Sequence, residues 1–448
     1  MRRGREESKS NMKDTPQSNR RDFIKTSAVA AAASSLAFPT VTFGKPDSRK
    51  LKIGFIGCGG RGNGAADQAL RADSNVQLWA MGDVLRSQVD TALKIFEKAH
   101  GDKVTVPETR KFSGLDAYQK VIESGVDVVI LTTPPGFRPL HFKAAVEAGK
   151  HVFLEKPMAT DAPGLRSVMQ SVELAKKKGL AVVAGFCWRY DYARREFYKR
   201  IHNGEIGEVR SVYATYYTSP VKPMPADTAR QAEWSDIEWQ VRNWYNFVWT
   251  CGDGLVEQAV HSVDKVGWVM KDAPPLSCVA VGGRQQPNHS GNIYDHIEAN
   301  YLFENGVRAF LGCRQQTGCY GENNDYILGS EGRAEISRGN VIIQNKAGLW
   351  RYEGRQANMY QVEHDEMYAS IRDGQPINDG ARMCTSTMMA IMGRMAAYTG
   401  QQVTWDMALN SQEDLFPKDI DWKSGKHQPP PVARPGAKEV VAAHQWKS

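Results

Sequence analysis

The sequence predicts an α/β protein, and three observations carry that reading. Short apolar runs alternate with helical segments from Leu51 to Leu180, the first run ends in a glycine-rich turn, and segments rich in Val, Tyr and Thr follow from Val209 onwards. Apolar runs separated by helices assemble into parallel sheets, because a parallel crossover needs a helix to return the chain. With 448 residues, 41% of them hydrophobic, the chain can build two ordinary cores.

The first run, Leu51 to Ile56, leads directly into Gly57-Cys58-Gly59-Gly60-Arg61-Gly62. A strand, a tight glycine turn and a helix start in this order form a dinucleotide fingerprint, since the backbone must approach a pyrophosphate closely while the helix N-terminus offers its free N–H groups. A second run, Val76 to Met81, ends near Asp83, whose carboxylate suits ribose hydroxyls and repels a 2′-phosphate. NAD is therefore expected, with NADP the less favoured alternative because Arg86 lies close by. Val126 to Leu131 reads as an inner strand with Thr132, Thr133, Pro134 and Pro135 at its ligand-facing edge. The helix Pro139 to Gly149 carries His141, read as a residue of its surface or of the nicotinamide-side loop. The strand His151 to Leu154 ends in Glu155-Lys156-Pro157, where proline fixes the loop and lysine brings a positive charge beside the expected nicotinamide.

In the second half, Asp253 to Trp268 reads as one helix with Leu255, Val256, Ala259, Val260, Val263 and Val266 on its apolar side. Asp253, Glu257 and His261 recur at intervals of four, so Glu257 and His261 are expected to share a face. Asp264 is placed to orient His261 or to bind a hydroxyl. The aromatic group Trp234, Trp239, Trp244, Tyr245, Phe247, Trp249 and Trp268 suits either a sugar face or packing in a core or oligomer contact. Arg189 and Tyr190, just after a strand edge, are the stronger individual pocket candidates.

The glycine turn, Thr133-Pro134, Glu155-Lys156-Pro157 and the strand Ala181 to Phe186 followed by Trp188-Arg189-Tyr190 together resemble the glucose-fructose oxidoreductase, inositol dehydrogenase and rhizopine-catabolism family. The resemblance runs from Leu51 to about Trp405. It implies a Rossmann domain over residues 50–185 and, over 186–415, an α/β domain with a large, mostly antiparallel sheet that forms a substrate wall and often an oligomer interface. The helix Ala381 to Tyr398 is then expected to pack back on the first domain. The cofactor-binding set becomes Gly57, Gly59, Gly60, Arg61, Gly62, Asp83, Arg86, Thr133, Pro134, His141, Glu155, Lys156, Trp188 and Arg189, and the substrate set Lys156, Arg189, Tyr190, Glu257, His261 and Asp264. His261 would accept an alcohol proton during hydride transfer, Lys156 would polarise the reacting oxygen, and Glu257 would tune His261 or grip a neighbouring hydroxyl. Glu257 departs from the Asp common in sugar dehydrogenases of the family.

The leader changes what such an enzyme must do. Asn19-Arg20-Arg21-Asp22-Phe23-Ile24-Lys25, followed by a charge-free alanine-rich stretch to Pro39, resembles a twin-arginine signal for proteins exported already folded. Much of the formal net charge of +7 resides in this leader, residues 1–49, so no nucleic-acid partner is implied. A periplasmic or otherwise exported dehydrogenase meets no nicotinamide pool, so tightly bound NAD is expected. Its turnover would use a second sugar acceptor or, as the alternative, a redox-neutral glycosidase or epimerase cycle through a transient keto-sugar. A carbohydrate substrate, the twin-arginine machinery and a homo-oligomer are the expected partners. Seven scattered cysteines make no disulfide framework, although Cys313 and Cys319 lie close enough in sequence to pair, and no metal site is expected. The tail, 416–448, reads as wrapping a neighbour or as mobile.

Overall fold

A computed structural model describes residues 48–286, 289–438 and 444, so the leader lies outside the described residues. The first sheet is parallel throughout and comprises β1 (Leu51–Ile56), β2 (Val76–Asp83), β3 (Lys111–Ser113), β4 (Val128–Leu131), β5 (His151–Leu154) and β6 (Val182–Ala184). Its order, β3-β2-β1-β4-β5-β6, reverses between β1 and β4 and opens a crevice at the C-terminal strand ends. β4 is buried at all four positions, which is why Val-Val-Ile-Leu reads as continuously apolar rather than alternating.

The second sheet holds β7 (Val209–Thr218), β8 (Ser277–Gly283), β9 (His296–Leu302), β10 (Arg308–Gln315), β11 (Asp325–Gly329), β12 (Gly332–Ser337), β13 (Asn340–Asn345), β14 (Gly348–Arg351) and β15 (Val403–Thr404). The order is β14-β13-β12-β11-β7-β10-β9-β8-β15, and β7 with β10 is its parallel pair. The expected mostly antiparallel sheet is thus present, with the Glu304-Asn305-Gly306 turn joining β9 to β10. One face lies against the helix Gly380–Thr399, whose residues are buried along nearly its whole length. That helix also packs on the helix Ala162–Lys177 of the first domain, as expected. A second return is made by the helix Met359–Arg372, which lies on the glycine helix Gly60–Ala72 and is tied down by the Arg372–Asp73 ion pair at 2.7 Å.

The expected single helix from Asp253 to Trp268 is broken. It consists of Gly254–Glu257 and Val260–Val269, because the Ala259 N–H bonds to the Gly254 carbonyl at 3.0 Å, a five-residue step that inserts an extra residue into the turn. Asp253 precedes the first piece with φ at 100°, and its buried carboxylate accepts from the Leu255 N–H, the Tyr294 N–H and the Tyr398 hydroxyl. The apolar periodicity survives this kink, so the sequence pattern could not reveal it. All seven cysteines are free, and Cys313 is buried while Cys319 is exposed, which corrects the pairing considered for them.

Candidate active site

The glycine turn is shaped by what each position can tolerate. Gly57 adopts φ +94°, and a side chain on Gly62 would lie 2.1 Å from the Gly57 carbonyl oxygen, so both close the turn. A Cβ on Gly59 or Gly60 would meet nothing within 4 Å, because these two face an open cleft. That cleft is a cavity of about 600 Å³ bordered by Gly57, Gly59, Gly60, Asp83, Thr133, Pro134 and His141, a combination that fits a dinucleotide pyrophosphate and ribose. Asp83 accepts from the Cys58 N–H at 2.7 Å and the Leu85 N–H at 2.9 Å, which places its carboxylate at the cleft edge. His141 is buried, hydrogen-bonds the Thr133 hydroxyl at 3.1 Å and stacks on Tyr118. Burial and the nearby Arg138 guanidinium lower its pKa to about 3.

The loop after β5 meets the broken helix directly. Lys156 Nζ donates to Glu257 Oε1 at 2.8 Å and to the Glu257 backbone carbonyl, and the two side chains are only 10% and 6% exposed. An ammonium has three hydrogens, so one remains for a bound oxygen. The other carboxylate oxygen of Glu257 accepts from Gln258 Nε2, and Gln258 Oε1 accepts from the Tyr216 hydroxyl at 2.9 Å. Glu257 therefore sets Lys156 and Gln258, and the expected contact with His261 is not formed. The His261 ring instead lies 5.2 Å from the Trp188 ring centre and edge-on to Phe186. Burial, then the charges of Lys156 and Lys265, hold His261 well below the ordinary histidine range, so its imidazole is neutral near pH 7.

Three further groups fix this arrangement. Arg61, in the first turn of the glycine helix, pairs with Glu155 at 2.5 Å and Glu363 at 3.3 Å, joining the cofactor turn to the Glu155-Lys156-Pro157 loop and to the return helix. Arg138, 2% exposed, donates to the carbonyls of Thr133 and Pro157 and so holds both nicotinamide-side loops together. Burial, then the charges of the Glu257 and Glu155 carboxylates, push the Tyr245 hydroxyl above the ordinary tyrosine range. Sequence reasoning missed Arg138, Gln258, Tyr216 and Glu363 as site residues. Only the proximity of Arg138 to Thr133 in the chain offered a signal.

Four expected residues turn elsewhere. Arg86 is engaged by Asp90 at 3.0 Å and by Glu108 and does not border the cleft, which corrects its place in the cofactor-binding set. The Arg189 guanidinium forms a two-pronged pair with Asp264 at 2.8 and 2.9 Å and also binds Asp272, so neither Arg189 nor Asp264 is free for cofactor or substrate. Asp264 also accepts from Ser386, not from His261. The Tyr190 hydroxyl donates to Asp379 at 3.0 Å inside the protein. Trp188 keeps a place beside the site through His261.

Comparison with known proteins agrees with this geometry. Residues 51–186 match the family described as oxidoreductase family, NAD-binding Rossmann fold, residues 195–335 match the GFO/IDH/MocA C-terminal domain, and residues 17–37 match a twin-arginine translocation pathway signal sequence. The protein thus carries an export signal. An inositol 2-dehydrogenase from Gluconacetobacter diazotrophicus is 31% identical over 334 residues, covering 73% of this chain and 87% of that protein. An aldose-aldose oxidoreductase from Caulobacter crescentus, complexed with glycerol, has a similar fold at TM-score 0.63 and 20% identity, covering 80% of this chain and 100% of its own. The WlbA dehydrogenase from Bordetella pertussis, solved with NADH and UDP-GlcNAcA, is similar at TM-score 0.60 and 21% identity, covering 80% and 99% of the two chains. With its glycine cleft, its Lys156–Glu257 pair and these matches over both domains, the chain belongs to the glucose-fructose oxidoreductase, inositol dehydrogenase and rhizopine-catabolism family of NAD(P)-dependent oxidoreductases.

Proposed function

We propose that the enzyme oxidises a secondary hydroxyl of a sugar or sugar derivative, using NAD that stays bound through export. The observation that carries the reading is the Lys156 ammonium held by Glu257 at 2.8 Å on the loop after β5, with His261, four residues beyond Glu257, kept neutral by burial and by the charge of that lysine. The alcohol oxygen accepts a hydrogen bond from the remaining Lys156 N–H while its own proton passes to His261, and Glu257 holds Lys156 in place. When bound, NAD supplies the hydride acceptor. Asp83 at the cleft edge favours NAD over NADP. The relatives named above as acting on inositol and on aldoses support a polyhydroxylated substrate.

Mass spectrometry of the dinucleotide retained by the purified protein, followed by incubation with a panel of sugars, tests this. Growth of reduced-nicotinamide absorbance with one sugar, discharged by a second, is the expected result. Product formation with no absorbance change at any stage would replace it with the redox-neutral cycle.

We also propose that the uncovered face of the second sheet joins two copies of the chain. Tyr213 of β7 and Phe310 of β10 are register partners and are 37% and 40% exposed, with Val279 and Val281 of β8 alongside. A two-fold axis through this face would set its exposed apolar side chains against those of a second copy.

A further inference from the structure

The dinucleotide cleft has a second wall that the fold alone does not require. Its first wall comes from the parallel sheet, where Asp83, Val84, Leu85 and Gln88 mark the adenosine end. The opposite wall of the same cavity is built by Lys222, Trp234, Trp239, Arg242 and Trp244, from the chain between β7 and the broken helix, and by Trp422 of the C-terminal segment.

These pieces are fastened to one another and to the Rossmann loops. Phe137, on the loop after β4, packs edge-on against both Trp249 and Phe416, with ring centres 5.7 and 5.5 Å apart. Leu415, Phe416, Ile420 and Trp422 pack on the small core formed by Phe137, Ile237, Trp239 and Trp249. The backbone is stapled as well: the Ser235 hydroxyl donates to the Trp422 carbonyl at 2.7 Å, Gln240 Nε2 to the His427 carbonyl at 2.7 Å, and the Asp236 N–H to the Gly425 carbonyl at 3.1 Å. Gly425 is seated so closely that a Cβ there would lie 2.6 Å from Ile237.

We infer that the segment from Pro220 to Trp244 and the segment from Leu415 to His427 form a clamp over the adenosine half of the cleft, making NAD a captive group. The inference rests on the retained-cofactor reading above and names the part of the chain that performs it. Release of the dinucleotide requires the walls to part, which pulls Phe137 out of its aromatic core, and the staples between the two clamp segments keep either from moving alone. Lys222 and Arg242 add positive charge on the wall facing a dianionic ligand.

The test uses the full-length enzyme purified with its dinucleotide and follows exchange of bound NAD for added fluorescent etheno-NAD. Wild type is expected to exchange slowly, and Trp422→Ala at least about tenfold faster. Because Trp422 also contributes packing, Gly425→Ala provides a second disturbance that removes no side chain, its Cβ meeting the Asp421 carbonyl at 2.3 Å and Ile237 at 2.6 Å so that the segment must shift at its seat. It is expected to accelerate exchange in the same sense. Cooperative melting of both variants establishes folding, and Leu349→Ser, on exposed β14, is expected to exchange like wild type. Slow exchange in wild type and equally slow exchange in both clamp variants would overturn the clamp while leaving the captive cofactor intact. Rapid exchange in wild type would overturn the captive reading itself.

Discussion

Lys156 Nζ reaches across the two domains to Glu257 Oε1 at 2.8 Å, joining residues 101 positions apart in the chain. The contact fixes the ammonium against a carboxylate and a carbonyl, leaving one N–H for substrate. Glu257→Gln keeps the length of the side chain but removes its charge, so the ammonium loses its counter-ion in a nearly dry site. We expect kcat to fall by roughly 10- to 100-fold, with a smaller change in KM and a loss of stability of up to about 3 kcal/mol. Glu257→Asp retains the charge one methylene short and should recover part of the kcat loss. Steady-state kinetics with unchanged kcat in Glu257→Gln would remove Lys156 positioning from the mechanism.

The base role proposed for His261 requires a neutral imidazole, and both its burial and the adjacent cations favour that state. Its folded pKa is depressed, so the acid limb of kcat/KM should lie below about pH 6.5, the ordinary histidine value. His261→Asn should lower kcat by roughly 10²- to 10⁴-fold and abolish that limb. A pH profile of the variant that still bends at the wild-type position would assign the limb to another group.

The cofactor half was legible because its chemistry is contiguous. The turn from Gly57 to Gly62, Asp83 about twenty residues on, and Lys156 at a strand end each follow from local pattern; the turn and Asp83 border one cleft, and Lys156 meets Glu257 of the second domain. The kink between Glu257 and His261 was not legible, because the bond from Ala259 to Gly254 leaves the apolar spacing intact. Motif adjacency located the loop carrying Arg189 but not the direction of a long side chain, which Asp264 and Asp272 capture from another element. Glu363 reaches Arg61 from 302 residues away, a meeting that only tertiary packing creates.

Acid should weaken the fold through buried neutral histidines. His141 and His364 are both held near pKa 3, chiefly by burial. Each is lower folded than unfolded, so the unfolded state binds more protons between about pH 6.5 and 3, and stability present above that window is lost as pH falls through it. His364 lies tilted over Phe153 with a centroid separation of 4.2 Å, and neither ring nitrogen has a hydrogen-bond partner. His364→Phe should therefore flatten the pH dependence and raise stability at pH 5 by about 1 kcal/mol or more. Urea denaturation at pH 7 and pH 5 checks this, and an unchanged difference between the two pH values would contradict it.

The Arg189–Asp264 pair makes the opposite prediction for a residue once expected at the pocket. Its side chains are 5% and 3% exposed, and removing the guanidinium leaves a buried carboxylate without its counter-ion. Arg189→Ala should cost about 3–5 kcal/mol. Arg189→Lys should be intermediate, because an ammonium cannot span both carboxylates in the same plane. If Arg189→Ala instead retained its denaturation midpoint and lost substrate affinity, a binding role would be restored.

The open sheet face supplies the last prediction. Phe310 and Tyr213 are exposed neighbours on β10 and β7, and none of the described residues covers them fully. Burying two such faces against each other removes their apolar surface from water at roughly 25 cal/mol per Å² before the cost of association. A glutamate within that surface would have to be desolvated on association, so Phe310→Glu should dissociate the assembly while leaving the monomer fold unchanged. Sedimentation velocity of wild type and variant over a range of concentrations reads this directly. A monomeric wild type, or an assembly that Phe310→Glu leaves at full mass, would assign the interface to another face.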